Sequence, residues 1–486
     1  MATLPQLNRK AGDTAELPIR VLQFGEGNFL RAFVDWIIYR MNRDNGFGSG
    51  VAVVQPIKQG LVSLLNEQDG LYTLFLKGFK DGQAVEEHEL IDAIQKGIDP
   101  YHDYSAFMVE AQNPELRFII SNTTEAGIAF NAEDKLADTP QDSFPGKLAA
   151  FLYHRYLHFN GAADKGCIII PCELIDRNGD KLKAVLLEYA SLWGLDENFA
   201  QWLEQSNTYC NTLVDRIVPG YPKGREEAIW KELGYHDKLL CEGEQFHLWV
   251  IEAPDSIRSE FPAEKAGLNV VFTDNMEPYR TRKVRILNGA HTSMVPVSYL
   301  YGMETVRETV EHPVLGQYVR DTIFEEIIPT LTLPKAELSQ FAEDVLDRFR
   351  NPYIKHYLIS IALNSVSKFK TRVLPSLLEY ARQQGRLPSR LVFALAALVR
   401  FYKGSRNGES IPLQDDDWVI GFLQDQWSRC DGSEAAFAKL AEAVLGWEEA
   451  WEENLLQIPG LKGLLAGYLL DIERSGMEQA VKNLAS

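Results

Sequence analysis

Three residues able to do chemistry on a hydroxyl group stand close together in the stretch KVRILNGAH: Lys283, Asn288 and His291. On a regular helix of about 100° per residue, His291 falls at roughly 80° and Asn288 at roughly 140° from Lys283. The three share one sector, with His291 in its middle. The neighbours Val284, Ile286, Leu287, Met294 and Val295 are apolar, so this sector is no plain solvated face. A partly buried polar cluster needs partners or a ligand. The set suits alcohol–ketone interconversion. A lysine held out of water gives up its proton more readily and can take a hydroxyl proton as a neutral amine. An asparagine amide donates to a developing oxyanion without changing charge. A histidine orients a neighbouring hydroxyl. The competing reading is an exposed lysine, an asparagine beside Gly289 and a satisfied core histidine.

Such chemistry needs a hydride carrier, and VLQFGEGNFLRAF offers a place for one. Gly25-x-Gly27 lies between a strand pattern and a helix pattern. The first glycine permits a tight turn, and the second lets backbone N–H groups approach a pyrophosphate. Leu30 occupies the position of the usual third glycine. The second strand ends in VVQP, so Gln55 stands where an acid would hold the adenosine ribose of NAD. Lys58 is near, and the residues alone leave NAD and NADP both open. SNTTEAG follows a further strand, and its Asn122, Thr123 and Glu125 are candidates for the same crevice, or else a capped turn.

The elements that must position these residues follow from periodicity. Ile19–Phe24, Val51–Val54, Leu71–Leu76, Arg117–Ser121, Cys167–Ile170 and Leu268–Phe272 read as strands, and Phe29–Met41 as a helix. Strands alternating with helices predict a mainly parallel sheet. From about Glu277 the pattern turns helical, SRLVFALAALVRFYKG being the clearest case, with a break at GSRNGESIPLQDDD. The expected plan is an α/β Rossmann-type N-terminal domain over residues 1–275 followed by an all-α C-terminal domain over 276–486, with a ligand cleft between them.

Composition narrows the function classes. With 49 Lys and Arg against 68 Asp and Glu, the net charge is −19, which disfavours a general binder of nucleic acid or of an anionic membrane. It leaves room for a locally basic pocket. The first twenty residues lack the apolar core of a secretory signal. The five cysteines form no CxxC pair and no zinc spacing, which predicts no metal. A sparse, odd set fits a reducing compartment, and the expected location is cytoplasmic.

The chain resembles the polyol-specific long-chain dehydrogenases, the family typified by mannitol dehydrogenase. The resemblance rests on Lys283, Asn288 and His291 at their spacing, on FGEGNFLRA with Phe29 and Arg31, on LVDRI (213–217) and on RFRNPYIKH (348–356). It implies NAD as cofactor, no metal, Lys283 as acid/base, Asn288 as oxyanion donor and His291 as a substrate-positioning group. It further implies that Lys368, in NSVSKF, contacts substrate. The implied cofactor residues are Phe24, Gly25, Gly27, Asn28, Phe29, Arg31, Gln55, Asn122 and Thr123.

Departures from the polyol pattern point to the substrate. After Asn-Pro, polyol members tend to carry an Asp, whereas this chain carries Lys355 and His356. A cation there suits a carboxylate, so the expected ligand is a small sugar acid, with Lys355, His356 and Lys368 as its binding residues and Arg216 and Arg285 as further candidates. In place of the polyol members' Cys-Asp-Asn, a second oxyanion donor, stand Cys172, Glu173 and Leu174, with Asp176 and Asn178 nearby. The competitors are an epimeric sugar acid, a neutral polyol and, in a different class, a non-catalytic dinucleotide-binding regulator. Oligomeric state is not legible.

Overall fold

In the computed structural model, which describes residues 4–9, 14, 16–80, 83–123 and 127–484, the chain forms two compact units. One holds residues 1–77 and 85–276, the other residues 78–84 and 277–486.

The first unit is built on a six-stranded sheet of order β5-β2-β1-β6-β7-β8. Its strands are β1 (Ile19–Phe24), β2 (Gly50–Val54), β5 (Ile94–Ile98), β6 (Phe118–Ser121), β7 (Ile168–Pro171) and β8 (Thr208–Tyr209), and every pairing is parallel. Its strands are apolar at almost every position because both faces are covered. Val21, Val51, Val53, Phe118 and Ile120 pack on one side with Phe33, Trp36, Ile37 and Trp249. Leu22, Phe24, Ala52, Val54 and Ile119 pack on the other with Phe107, Phe144, Phe151 and Leu182. The chain order reverses between β1 and β6, which makes a topological switch point. Register then decides what lies there. Phe24 pairs with Val54 and with Ser121, so the next residues, Gly25, Gln55 and Asn122, leave the sheet together.

Two expected strands belong elsewhere. The run at Leu71–Leu76 becomes β3 (Tyr72–Lys80), in a three-stranded sheet of order β10-β3-β4, with β4 at Gln83–Ile91 and β10 at Cys241–Glu244. The run at Leu268–Phe272 becomes β12 (Val270–Thr273), beside β11 (Leu248–Glu252) and β9 (Asn211–Asp215). A short apolar run signals a buried strand but not its partners: β4 and β11 lie close to β3 and β12 in the chain, whereas β10 and β9 come from farther along it.

The second unit is helical. The Ser389–Phe401 helix is buried from Leu391 to Val399. A helix apolar on every side must be central, and the Gly289–Tyr301 and Leu461–Ser475 helices pack against it. The break at GSRNGES is a small hairpin, β13 (Ser405–Arg406) with β14 (Glu409–Ser410). Asn407 and Gly408 turn it with φ of 51° and 87°, the left-handed pair that matches strand twist.

Arg216, expected as a substrate residue, is a structural arginine of the first unit. Its Nε donates to Glu244 O at 2.8 Å and its Nη1 to Ala32 O at 2.6 Å, and the guanidinium lies 4.2 Å from the Trp36 ring centroid. Burial pushes its pKa down to about 9. The planar guanidinium tolerates such a site because its several donors match several carbonyls. Arg216→Ala strands those carbonyls, and we expect a loss of roughly 2–4 kcal/mol of stability, read by urea unfolding. An unchanged midpoint with a raised substrate KM would return Arg216 to the substrate residues.

Candidate active site

The turn after β1 is held from within. Gly25 has φ of +121°, and a Cβ there would stand 2.9 Å from Asn122 O, so both strain and contact require glycine. Its N–H donates to Val54 O at 3.1 Å, and the Asn122 N–H donates to Phe24 O at 3.1 Å. Gln23 Nε2 donates to Gly25 O at 3.0 Å. Arg31 is nearly fully buried and gathers the rest. Its Nε donates to Glu26 O at 3.1 Å and its Nη2 to Asn28 Oδ1 at 2.7 Å, and Nη1 reaches Leu239 O. Arg31 therefore shapes the turn rather than presenting its charge to a ligand. A Cβ on Gly27 would meet no protein atom within 4 Å. That open position, where the backbone enters a helical run, fits a diphosphate.

Other expected cofactor residues divide. The Phe24 ring is core, 5.8 Å from Phe107 and 5.0 Å from Phe144 between centroids, which leaves only its backbone at the turn. Phe29 is half-buried and stacks on Phe33 at 5.1 Å. Gln55 is buried, its N–H bonded to Ile98 O at 2.9 Å. Asn122 Nδ2 donates to Cys172 O at 3.0 Å. The Thr123 N–H and hydroxyl both donate to Glu173 Oε1 at 3.1 Å, and the Ser121 hydroxyl to Glu173 Oε2 at 3.0 Å. Glu173 thus braces the loop, and burial raises its pKa. Asn178 is fully buried and donates to Pro171 O at 3.0 Å and Glu173 O at 3.1 Å, so its amide is spent inside the protein. Glu125 lies outside the described residues.

In the second unit, Lys283–Asn288 is not a regular helix but a π-helix, followed without a break by the Gly289–Tyr301 α-helix. The Gly289 N–H bonds back to Val284 O, an i→i+5 link. The 100° rule therefore fails here. The wider turn carries Asn288 back towards the azimuth of Lys283 instead of leaving it about 140° away. Both side chains are half-buried. Gly289 is needed for packing, since its Cβ would stand 3.1 Å from Arg372 O. Arg285, a further carboxylate candidate, is tied down by donating to Thr371 O.

His291 sits at the centre of a basic cluster. Its ring lies 4.4 Å from Phe349 and 5.1 Å from His356 between centroids. An edge of the residue stays accessible, yet Nε2 is buried and has no hydrogen-bond partner among the described residues. Burial, and then the charges of His356, Arg348, Arg372 and Lys368, hold its pKa well below the usual range. The imidazole is therefore neutral at physiological pH, able to donate or accept a hydrogen bond. Lys368 is half-buried and its Nζ donates to Ile361 O at 2.9 Å. Burial, and then Arg372, push its pKa down. Lys355 is exposed, whereas His356 is half-buried with its pKa lowered by burial.

Arg348 and Arg372 also bear on His291, and neither was singled out from the sequence. Arg348 stands inside the quoted block RFRNPYIKH, and Arg372 follows Lys368 by one helical turn, but neither spacing says what it faces. The Arg372 guanidinium is half-buried and makes no hydrogen bond or ion pair to the described residues, and burial lowers its pKa. Among the described residues no group of three or more His, Cys, Asp or Glu side chains is placed to hold a metal ion, and no helix is long and apolar enough to cross a membrane.

Known proteins share this order of domains along the chain. The mannitol dehydrogenase Rossmann domain model matches residues 19–265, and the mannitol dehydrogenase C-terminal domain model matches residues 275–467. An altronate oxidoreductase of Bacillus subtilis is 52% identical over 480 residues, covering 99% of this chain and 98% of its own. One of Escherichia coli is 49% identical over 479 residues, covering 98% of this chain and 99% of its own. Among solved structures, Pseudomonas fluorescens mannitol 2-dehydrogenase in ternary complex with NAD and D-mannitol superposes with a TM-score of 0.64 at 22% identity, covering 99% of each chain. A substrate-free D-sorbitol dehydrogenase does so with 0.81 at 21%, covering 98% of this chain and 100% of its own. With both family domains matched and relatives of half-identical sequence along nearly its whole length, the chain belongs to the mannitol dehydrogenase family and is an oxidoreductase acting on CH–OH groups.

Proposed function

We propose that this protein interconverts D-altronate and D-tagaturonate with NAD(H), in hexuronate catabolism. The observation that carries a sugar-acid substrate is the basic cluster around His291 in a chain of net charge −19. A neutral polyol gives such a cluster nothing to neutralise. A carboxylate does, and Arg372, half-buried without an acidic partner, is the group best suited to bind it, with Lys368 beside it. The altronate oxidoreductase relatives and the NAD held by the mannitol 2-dehydrogenase support the rest of the reading.

The roles follow from the residue chemistry. Bound at the turn after β1, NAD supplies a hydride acceptor for the substrate's carbinol carbon. Lys283 takes the hydroxyl proton on oxidation and returns it on reduction. Asn288, brought round by the wide turn, donates to the oxygen as charge develops on it. His291, neutral and with an unpartnered Nε2, orients a neighbouring hydroxyl. Gly25, Gly27 and the Asn122–Thr123 loop hold the dinucleotide, and Arg31 keeps their turn in shape.

Four outcomes test this. Lys283→Ala lowers kcat by about 10²–10⁴-fold while NADH still binds, and near-normal turnover anywhere across about pH 6–10 would sink the assignment. Arg372→Ala raises KM for altronate by about 10–100-fold, the equivalent of a charge-assisted hydrogen bond, leaves NADH affinity unchanged and narrows the preference for the acid over its uncharged polyol analogue. Lys368→Ala acts in the same direction, and wild-type KM in both variants places the carboxylate elsewhere. Exhaustive chelation leaves the rate unchanged. Stoichiometric zinc, with activity lost on its removal, would refute a metal-independent reaction.

A further inference from the structure

Gln55 follows β2 where a dinucleotide fold usually offers an acid to the adenosine ribose, and the structure brings a carboxylate to that place by another route. Glu26 is the middle residue of Gly25-Glu26-Gly27, and its side chain folds under the loop that follows β2. Glu26 is 7% exposed and Gln55 4%. A Cβ on Gly60 would stand 2.1 Å from Glu26 Oε1 and 2.4 Å from Gln55 Oε1, so the two oxygens border one spot. Gln55 Nε2 is spent on Lys58 O at 3.2 Å, which turns its carbonyl oxygen towards that spot as an acceptor. Among the described residues, the only donor from elsewhere in the chain to the Glu26 carboxylate is the Leu61 N–H, at 3.2 Å. A carboxylate with two oxygens accepts about four hydrogen bonds, so most of its capacity remains.

Two acceptors side by side, one of them charged, fit a vicinal diol, which brings two donors. They do not fit a phosphate monoester, which brings negative charge and acceptors of its own. No arginine stands beside Gln55 in the sequence, and Lys58 is exposed, its carbonyl rather than its ammonium turned to Gln55. Arg31 is near enough to act on Glu26 electrostatically, but its guanidinium is occupied by Glu26 O, Asn28 Oδ1 and Leu239 O.

We propose that Glu26, paired with Gln55, is the coenzyme-selecting group of this protein: it accepts the 2′,3′-diol of an adenosine ribose and repels a 2′-phosphate. The proposal rests on the dinucleotide reading above and adds to it a residue outside the position where strand order places the acid. Gly60 is glycine because a Cβ there would clash with both acceptor oxygens.

The test measures NADH and NADPH affinities by calorimetry on the full-length protein without sugar acid, so that it does not depend on turnover. The wild type is expected to bind NADH more tightly than NADPH by more than about tenfold, Glu26→Gln to lose about tenfold in NADH affinity, and the ratio to collapse as NADPH loses less or gains. Thermal unfolding of each variant shows whether the turn is intact. Should Glu26→Gln fail to fold, Gln55→Leu decides in its place, with NADH weakened several-fold and NADPH unchanged as the expected result. An unaltered ratio in the folded variant, or a wild type that binds both coenzymes alike or prefers NADPH, overturns the role of Glu26 and leaves the dinucleotide reading standing. A wild type that binds neither coenzyme overturns both.

Discussion

The wide turn at Lys283–Asn288 is the constraint on which the candidate site depends. A π-helical stretch gives up regular i→i+4 bonding, and packing must compensate. Here the packing partner is the end of the Ser365–Arg372 helix. The Arg372 carbonyl would stand 3.1 Å from a Cβ on Gly289, and Thr371 O receives the Arg285 guanidinium. On the other side, Arg282 is buried, pairs with Glu337 at 2.6 Å and lies 4.3 Å from the Phe341 ring centroid. The lysine and the asparagine are thus carried on a segment clamped at both ends. Preorganisation of this kind lets an amide donor act on an oxyanion without reorganising as charge appears.

Several buried charged groups are answered inside the protein: Arg216 and Arg31 by backbone carbonyls, Glu173 by hydroxyls and a backbone N–H, Arg282 by Glu337 and Glu326 by the Arg390 and Leu391 N–H groups. Such groups stabilise a fold because each desolvated atom regains a partner. The cluster at His291 differs: Lys368 and Arg372 sit one turn apart on the same helix, where like charges repel by about 0.2–0.5 kcal/mol on an exposed helix. Both bear on a histidine whose Nε2 has no partner among the described residues. Asp415 offsets Lys368 in part, although its carboxylate is also bonded to the Tyr402 hydroxyl. Half-buried positive charge that the fold does not itself neutralise is the property expected of a site for an anion.

The pattern of a doubly covered sheet was legible from apolar runs, since strands buried on both faces need no alternation to be seen. Partner choice was not. β3 and β12 were visible as strands, yet their placement outside the six-stranded sheet depends on the sheets completed by β10 and by β9, which lie farther away in the chain. Arg216 shows the same gap at the level of one residue. An arginine in a family-like block invites a role with substrate, but Ala32 and Glu244 claim it, and neither is near it in sequence.

By itself the sequence determined the inventory and its local order: the glycine turn after a strand, the spacing of Lys283, Asn288 and His291, the acidic excess, and the change from alternating strands and helices to continuous helix. These are properties of adjacent residues, carried by covalent spacing. Tertiary structure alone decided that Arg31 and Phe24 serve the turn and the core, that Asn288 swings towards Lys283, that Arg348 and Arg372 join His291, and that Glu26 comes to lie against Gln55. Each of these outcomes depends on which distant backbone a side chain meets when the core closes, and hydrogen-bond partners and burial are assigned only at that point.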